Sequence, residues 1–307
     1  MSSSSGYNVA IVGATGAVGE ALLEILQERK FPVAQLYLLA SERSAGKRLQ
    51  FHGKSVQVQR LDEFDFSQVQ IGLFSAGGDL SALYAPKAAQ AGCVVIDNTS
   101  YFRYDDDIPL VVPEVNPQCV AEYKSRNIIA NPNCSTIQML VALKPVHDAV
   151  GIKRINVATY QAVSGAGASG INELAGQTAN LLNAKPIEPS TMPVQIAFNA
   201  IPQIGQFQDN GYTKEEMKLV RETQKILSDK TIAVTATAVR VPIVGGHSEA
   251  VNVEFSNDFD VNEVRRILHE TPGVVVQDNT DTFTYPMPLY AQGKDDVFVG
   301  RIRRDFS

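Results

Sequence analysis

The chain has 307 residues, 44% of them hydrophobic and 20% charged, with a formal net charge of −6. That length and composition suggest two soluble domains with a real buried core, and an acidic chain without a basic stripe is a poor nucleic-acid binder. Apolar runs such as residues 36–40 and 139–143 are far too short to span a bilayer.

The start, Met1-Ser2-Ser3-Ser4-Ser5-Gly6, lacks the basic and apolar regions of a secretory signal. It reads as a disordered tail on a cytoplasmic protein. A strand is expected over residues 7–12, then a helix over 17–29 with Val18, Leu22, Ile25 and Leu26 on one face. Strands follow at 36–40 and 71–75, a helix at 81–91 stopped by Gly92, and strands at 94–96, 111–112 and 128–130. This alternation is the pattern of a doubly wound parallel sheet. After Asn131 the texture changes. A helix over 135–150 is expected to break or end near Pro145, with further helices at 170–182, 214–227 and 261–269. Strands at 156–163, 232–241, 247–255 and 297–302 alternate as in a sheet with one solvated or interfacial face. The expected fold is α/β: a Rossmann-like, doubly wound dinucleotide-binding domain over 1–130, followed by an α+β catalytic domain over 131–307.

Gly13-Ala14-Thr15-Gly16-Ala17-Val18-Gly19 follows a strand and opens a helix, the context that makes a glycine pattern a dinucleotide signal. Gly13 turns the chain, Gly16 lets backbone approach a pyrophosphate, and Gly19 lets helix and strand pack. The second strand runs into Ser41-Glu42-Arg43-Ser44, not into a lone carboxylate. Ser41, Arg43 and Ser44 form a donor cluster suited to a 2′-phosphate, which favours NADP over NAD; Glu42 argues the other way.

Three cysteines without close spacing and four scattered histidines argue against disulfides and zinc. Most free cysteines fill cores, and Cys93 and Cys119 fit that class. Cys134, in Asn131-Pro132-Asn133-Cys134-Ser135-Thr136, instead lies between a strand and a helix N-terminus. The helix dipole there favours thiolate, and the turn's amides offer oxyanion donors. A thiolate with a nicotinamide cofactor implies attack on an aldehyde and a thioester that water or phosphate resolves. His247, set among Gly245-Gly246-His247-Ser248-Glu249, is the best acid/base candidate. His52, His147 and His269 read as structural.

Over essentially its whole length the sequence resembles the aspartate-semialdehyde dehydrogenase family. The residues carrying the match begin with the Gly13–Gly19 loop, Ser41-Glu42-Arg43-Ser44-Ala45-Gly46, Ser100-Tyr101-Phe102-Arg103 and Val112-Pro113-Glu114-Val115-Asn116. They continue through the Cys134 segment, Gln161-Ala162-Val163-Ser164-Gly165, Glu215-Glu216-Met217-Lys218 and Arg240-Val241-Pro242 to His247-Ser248-Glu249. The resemblance implies NADPH-dependent reduction of aspartyl phosphate to the semialdehyde in aspartate-family amino-acid biosynthesis. Cys134 would carry the acyl group, His247 would act as acid/base, Gln161 would orient substrate and Asn133 would position the thiol. Arg240 would hold the substrate carboxylate and Glu215 its amine, Arg103 and Lys218 would hold phosphate, and Ser164-Gly165 would meet the cofactor. It also implies a homodimer or homotetramer built through the second domain, and a further C-terminal helix beyond Ser307 that returns to the nucleotide domain. N-acyl-glutamyl-phosphate reductase is the nearest alternative, but it carries glycine where this chain has Asn133. A paralogue kept as a binding protein is the non-enzyme alternative, against which Cys134, Gln161, Arg240 and His247 all stand.

Overall fold

The computed structural model describes residues 6–306; the serine-rich start read as a tail lies outside them, apart from Gly6. The chain divides into two compact units, one running through Val111 and including Asn116–Pro132, the other containing Val112–Val115 and everything from Asn133.

The first unit begins β1 (Tyr7–Val12), α1 (Ala17–Glu28), β2 (Val33–Ala40), β3 (Arg48–Phe51) and β4 (Lys54–Arg60). It continues with β5 (Ile71–Phe74), α2 (Gly78–Gln90), β6 (Val94–Asp97) and β7 (Ile128–Ala130). These strands form one sheet in the order β3-β4-β2-β1-β5-β6-β7, parallel except for the β3–β4 hairpin. Val9, Ile11 and Leu38 are fully buried at its centre, as strands covered on both faces require. The chain leaves β1 toward β2 and returns on the other side with β5. That reversal is the switch point at whose carboxyl end such sheets bind ligands.

Two details differ from expectation. The hairpin, turned at His52-Gly53 with positive φ at both, was not legible in its polar-rich sequence. The strand expected at 111–112 is absent; Leu110 makes an isolated bridge to Ala130, and prolines at 109 and 113 deny the segment a ladder.

The second unit begins α3 (Cys134–Val150), β8 (Ile152–Gln161), α4 (Gly167–Leu182), α5 (Lys214–Ile226), β9 (Ala233–Arg240) and β10 (Ser248–Phe255). It ends with α6 (Val261–Glu270), β11 (Val274–Val276), α7 (Pro288–Ala291) and β12 (Val297–Val299). β8 is the centre of a three-stranded sheet, antiparallel to β10 and parallel to β9. Ile155, Val157, Thr159 and Gln161 are buried on one face, while Asn156 and Tyr160 are exposed on the other. α3 passes through Pro145 instead of ending there: Met139, Leu140 and Val141 before it and Val146 after it are all buried, and that packing outweighs one lost backbone bond. The last expected strand stops at Val299, short of residue 302. Among the described residues no helix is long and apolar enough to cross a membrane, and no cluster of side chains could hold a metal ion.

Candidate active site

In the first unit the glycine loop fits a dinucleotide phosphate. Gly13 has φ +90°, and a Cβ on Gly19 would lie 2.3 Å from the Gly13 carbonyl oxygen, so helix and strand meet at a distance that glycine alone allows. Gly16 caps α1 with no side chain bonded to its first turn, and Gly16, Ala17 and Val18 are exposed. Amides so placed are an anion site. Thr15 is half-buried beside them. Beyond β2, Ser41 and Arg43 are exposed and Ser44 is buried. The Glu42 carboxylate lies 3.3 Å from Arg60 Nη1, so its charge is paired with the opposite sign. Arg103, also in this unit, is buried, with Nε and Nη2 donating to the carbonyls of Thr99 (3.1 Å) and Asn98 (3.0 Å).

The second unit gathers the other candidates. Cys134 is the exposed first residue of α3. Asn133 caps that helix: its Oδ1 accepts from the amides of Ser135 (3.0 Å) and Thr136 (3.4 Å), and its Nδ2 donates to Glu215 Oε1 at 2.8 Å. Two amides expected to receive an oxyanion are therefore already committed to the cap. Gln161, at the buried end of β8, donates from Nε2 to Ser135 Oγ (2.7 Å) and Glu215 Oε1 (3.2 Å), leaving its own Oε1 buried and unpartnered.

Glu215 lies in the first turn of α5, where Thr213 and Glu216 form a capping box. Burial works against its ionisation, but the Lys218 ammonium at 2.8 Å and the donors Asn133 and Gln161 prevail, holding the carboxyl below the usual range. Arg240 ends β9 in register with Gln161, is buried, and donates from Nη1 to the Ala162 carbonyl at 2.7 Å. Burial lowers its pKa while the charges of Glu215 and Cys134 work the other way. The Ser164-Gly165 turn packs onto this group, for a Cβ on Gly165 would come within 2.9 Å of Arg240 Nη1.

His247 Nδ1 accepts the Ala162 amide at 3.1 Å. That bond fixes the neutral ring with its proton on Nε2, so the imidazole presents a donor. Burial first, and the Arg240 charge second, lower its pKa to about 4. The site thus joins an exposed thiol at a helix terminus, a guanidinium, an imidazole N–H and a structured carboxylate.

Sequence reasoning missed Glu222, which is fully buried and whose Oε2 accepts the Asn133 backbone amide at 2.6 Å. A signal existed. Glu215 and Glu222 fall seven apart on the same α5 stripe as buried Leu219 and Ile226, and charged residues at core positions call for a partner. His147 is structural as expected, its Nδ1 accepting the Ile152 amide at 3.0 Å.

The fold and this grouping define a two-unit, dinucleotide-type α/β protein with a thiol-centred site. Residues 8–123 match the family described as semialdehyde dehydrogenase, NAD binding domain, and residues 143–307 that described as semialdehyde dehydrogenase, dimerisation domain. The chain is 65% identical over 302 residues to aspartate-semialdehyde dehydrogenase 2 of Vibrio cholerae, covering 98% of this chain and 89% of that one. It superimposes with TM-score 0.96 on aspartate semialdehyde dehydrogenase II complexed with ASA from the same organism, at 63% identity, covering 99% and 90%. The enzyme with NADP from Candida albicans matches with TM-score 0.75 at 26% identity, covering 98% and 90%. The chain belongs to the aspartate-semialdehyde dehydrogenase family.

Proposed function

We propose that this protein catalyses the reversible, NADPH-dependent reductive dephosphorylation of L-aspartyl 4-phosphate to L-aspartate 4-semialdehyde, in the cytoplasm and as a homodimer or homotetramer through its second domain. The observation that carries this reading is the exposed Cys134 thiol on a helix terminus braced by Asn133, Gln161 and Glu215, with Arg240 and His247 in the same unit. Near-full-length likeness to relatives of that activity supports it.

In the reductive direction the Cys134 thiolate attacks the acyl phosphate carbon. The C–O bond to phosphate breaks, phosphate leaves with the electron pair, and a thioester remains on Sγ. Arg103 and Lys218 bind the phosphate, and Arg240 the planar α-carboxylate. Glu215 faces the α-amine, and the unpartnered Gln161 Oε1 accepts from substrate. His247 Nε2–H hydrogen-bonds the carbonyl oxygen where negative charge gathers. The glycine loop would hold the dinucleotide phosphates, Ser41, Arg43 and Ser44 the 2′-phosphate, and Ser164-Gly165 the nicotinamide end. When bound, NADPH would supply a hydride for the thioester carbonyl. The C–S bond of the hydride-reduced oxyanion then breaks with its electron pair leaving on Sγ, which returns the Cys134 thiolate and frees the aldehyde.

Absorbance growth at the reduced-nicotinamide band with aspartate semialdehyde, phosphate and NADP tests the reading. Turnover with N-acetylglutamate semialdehyde and not with aspartate semialdehyde would overturn it.

Two further outcomes are expected. Arg43→Ala weakens NADP more than NAD, by about 1.5–3 kcal/mol for a charge-assisted contact, as titrations with each cofactor will read; equal losses would make Arg43 structural. Arg103→Leu and Lys218→Met raise the KM for phosphate more than that for the aldehyde, and Arg240→Leu does the reverse. Initial-rate kinetics showing both constants shifted alike in all three variants would refute this division.

A further inference from the structure

Between α4 and α5, residues 183–213 form neither helix nor strand beyond isolated bridges, yet Met192, Ile196, Ala197 and Ile201 are buried. Connections this long are uncommon in a compact unit unless they have a function. Two buried side chains one turn apart on α4 hold the segment, and the mechanism above gives neither a task. Glu173 Oε1 accepts the Ser190 amide (3.1 Å), while its Oε2 accepts the amides of Thr191 (2.5 Å) and Met192 (3.1 Å). The Ser190 hydroxyl adds a longer bond at 3.3 Å. Gln177 Oε1 accepts the amides of Ile196 (2.9 Å) and Ala197 (3.1 Å), and its Nε2 donates to Glu173 Oε1 at 2.9 Å. Burial opposes ionisation of Glu173, but the amides prevail and keep the carboxyl below the usual range.

The held segment leads to Arg240. β9 is an edge strand, and Ile201 closes its open edge at the last residue. The Ile201 amide donates to the Arg240 carbonyl (2.9 Å), and the Arg240 amide donates to the Ile201 carbonyl (2.8 Å). The same segment backs the turn that covers the guanidinium. Met192, Ile196, Ala197 and Ile201 share one apolar cluster with Val163 and Leu174. The fit there is close: a Cβ on Gly170 would lie 2.5 Å from the Val163 carbonyl oxygen and 3.2 Å from the Met192 methyl. Val163 sits between Ala162, whose carbonyl accepts from Arg240 Nη1, and Gly165, which leaves room for that same nitrogen. Backbone and side chain of Arg240 therefore both rest on the segment that Glu173 and Gln177 hold.

We propose that Glu173 and Gln177 are positioning residues for Arg240: they fasten residues 190–197 to α4, so that Ile201 fixes the Arg240 backbone and the Val163 cluster fixes the turn against its guanidinium. The inference rests on the reading of Arg240 as the residue that binds the substrate α-carboxylate. A guanidinium grips a planar carboxylate through two parallel bonds only when it is held in one orientation. Loosening the segment therefore weakens binding of the aldehyde, which carries that carboxylate, and leaves phosphate and NADP binding as they were.

The test is initial-rate kinetics on wild type, Glu173→Gln, Gln177→Met and Arg240→Leu, and on each of the first two combined with Arg240→Leu. Glu173→Gln keeps the shape of the side chain but sets an NH2 group against amide donors. Gln177→Met keeps the volume, removes the acceptor for two amides and leaves the amide bonds of Glu173 in place, so it decides the matter if Glu173→Gln does not fold. Each of these two variants is expected to raise the KM for aspartate semialdehyde about fivefold or more, with the KM values for phosphate and NADP within about twofold of wild type. In the Arg240→Leu background the same substitutions are expected to move the aldehyde KM by less than about twofold, because the contact they serve is already gone. A wild-type aldehyde KM in the folded variants, equal shifts in all three constants, or the same fold-change with and without Arg240 would overturn the positioning role. A wild-type aldehyde KM in Arg240→Leu would instead sink the reading of Arg240 itself.

Discussion

Replacing Cys134 by serine is expected to lower turnover by about 10⁴-fold or more while leaving NADP affinity and melting temperature nearly unchanged. The reason is local. Cys134 is exposed at the first position of α3, so the substitution creates no cavity, and the cap that fixes the turn belongs to Asn133. The cap, its bond to Glu215 and the Glu222 bond to the Asn133 amide survive the change. What is lost is a soft nucleophile that ionises far more readily than a hydroxyl. Steady-state kinetics, cofactor titration and a melt on one preparation measure all three quantities. Substantial steady-state turnover in the serine variant would remove Cys134 from the chemistry.

His247→Ala is expected to cost about 10²–10⁴-fold in kcat, with Cys134 still open to alkylation. Because Nδ1 is tied to the Ala162 amide, the lost function is a donor at Nε2, and His247→Gln, which can supply an N–H, should recover part of the rate. The ring also offers a direct physical check. With a pKa of about 4 against the ordinary 6.5, the unfolded chain takes up this proton before the folded one as pH falls. The stability contributed by neutral His247 is therefore complete above about pH 6.5 and declines as pH falls toward 4. Arg240→Leu removes one of the two causes and should move the titration upward, as ring chemical shifts against pH would read. A ring that titrates at 6.5 in the wild type, unmoved by that substitution, would contradict the arrangement.

Much of the first unit was legible because its signals are local. The strand at Tyr7–Val12, the glycine loop and the helix from Ala17 depend on neighbours within a few residues, and the periodicity of α5 and α6 marks them in the same way. The β3–β4 hairpin escaped because half-solvated polar strands carry little pattern, and Pro145 misled because proline's local penalty was outweighed by burial on both sides of it. Residues 111–112 failed as a strand for the opposite reason: two valines look extended, but flanking prolines and a single bridge left them no ladder.

The sequence by itself determined the family and the dinucleotide-type fold of the first unit, because type and order of side chains are written in it directly. Cys134 was marked by its helix terminus and His247 by its glycine-flanked segment, while Arg240 entered only through the family resemblance. Only the tertiary structure decided which atoms those residues use. That Glu222 reaches back to hold the Asn133 backbone and that Ala162 fixes His247 as a donor are facts of hydrogen-bond direction between residues 89 and 85 apart in the chain. Glu249 is the clearest case: in the sequence it is an ordinary glutamate two places after a histidine. Burial pushes its carboxyl up to about 8, a property of the packed interior that no linear pattern records.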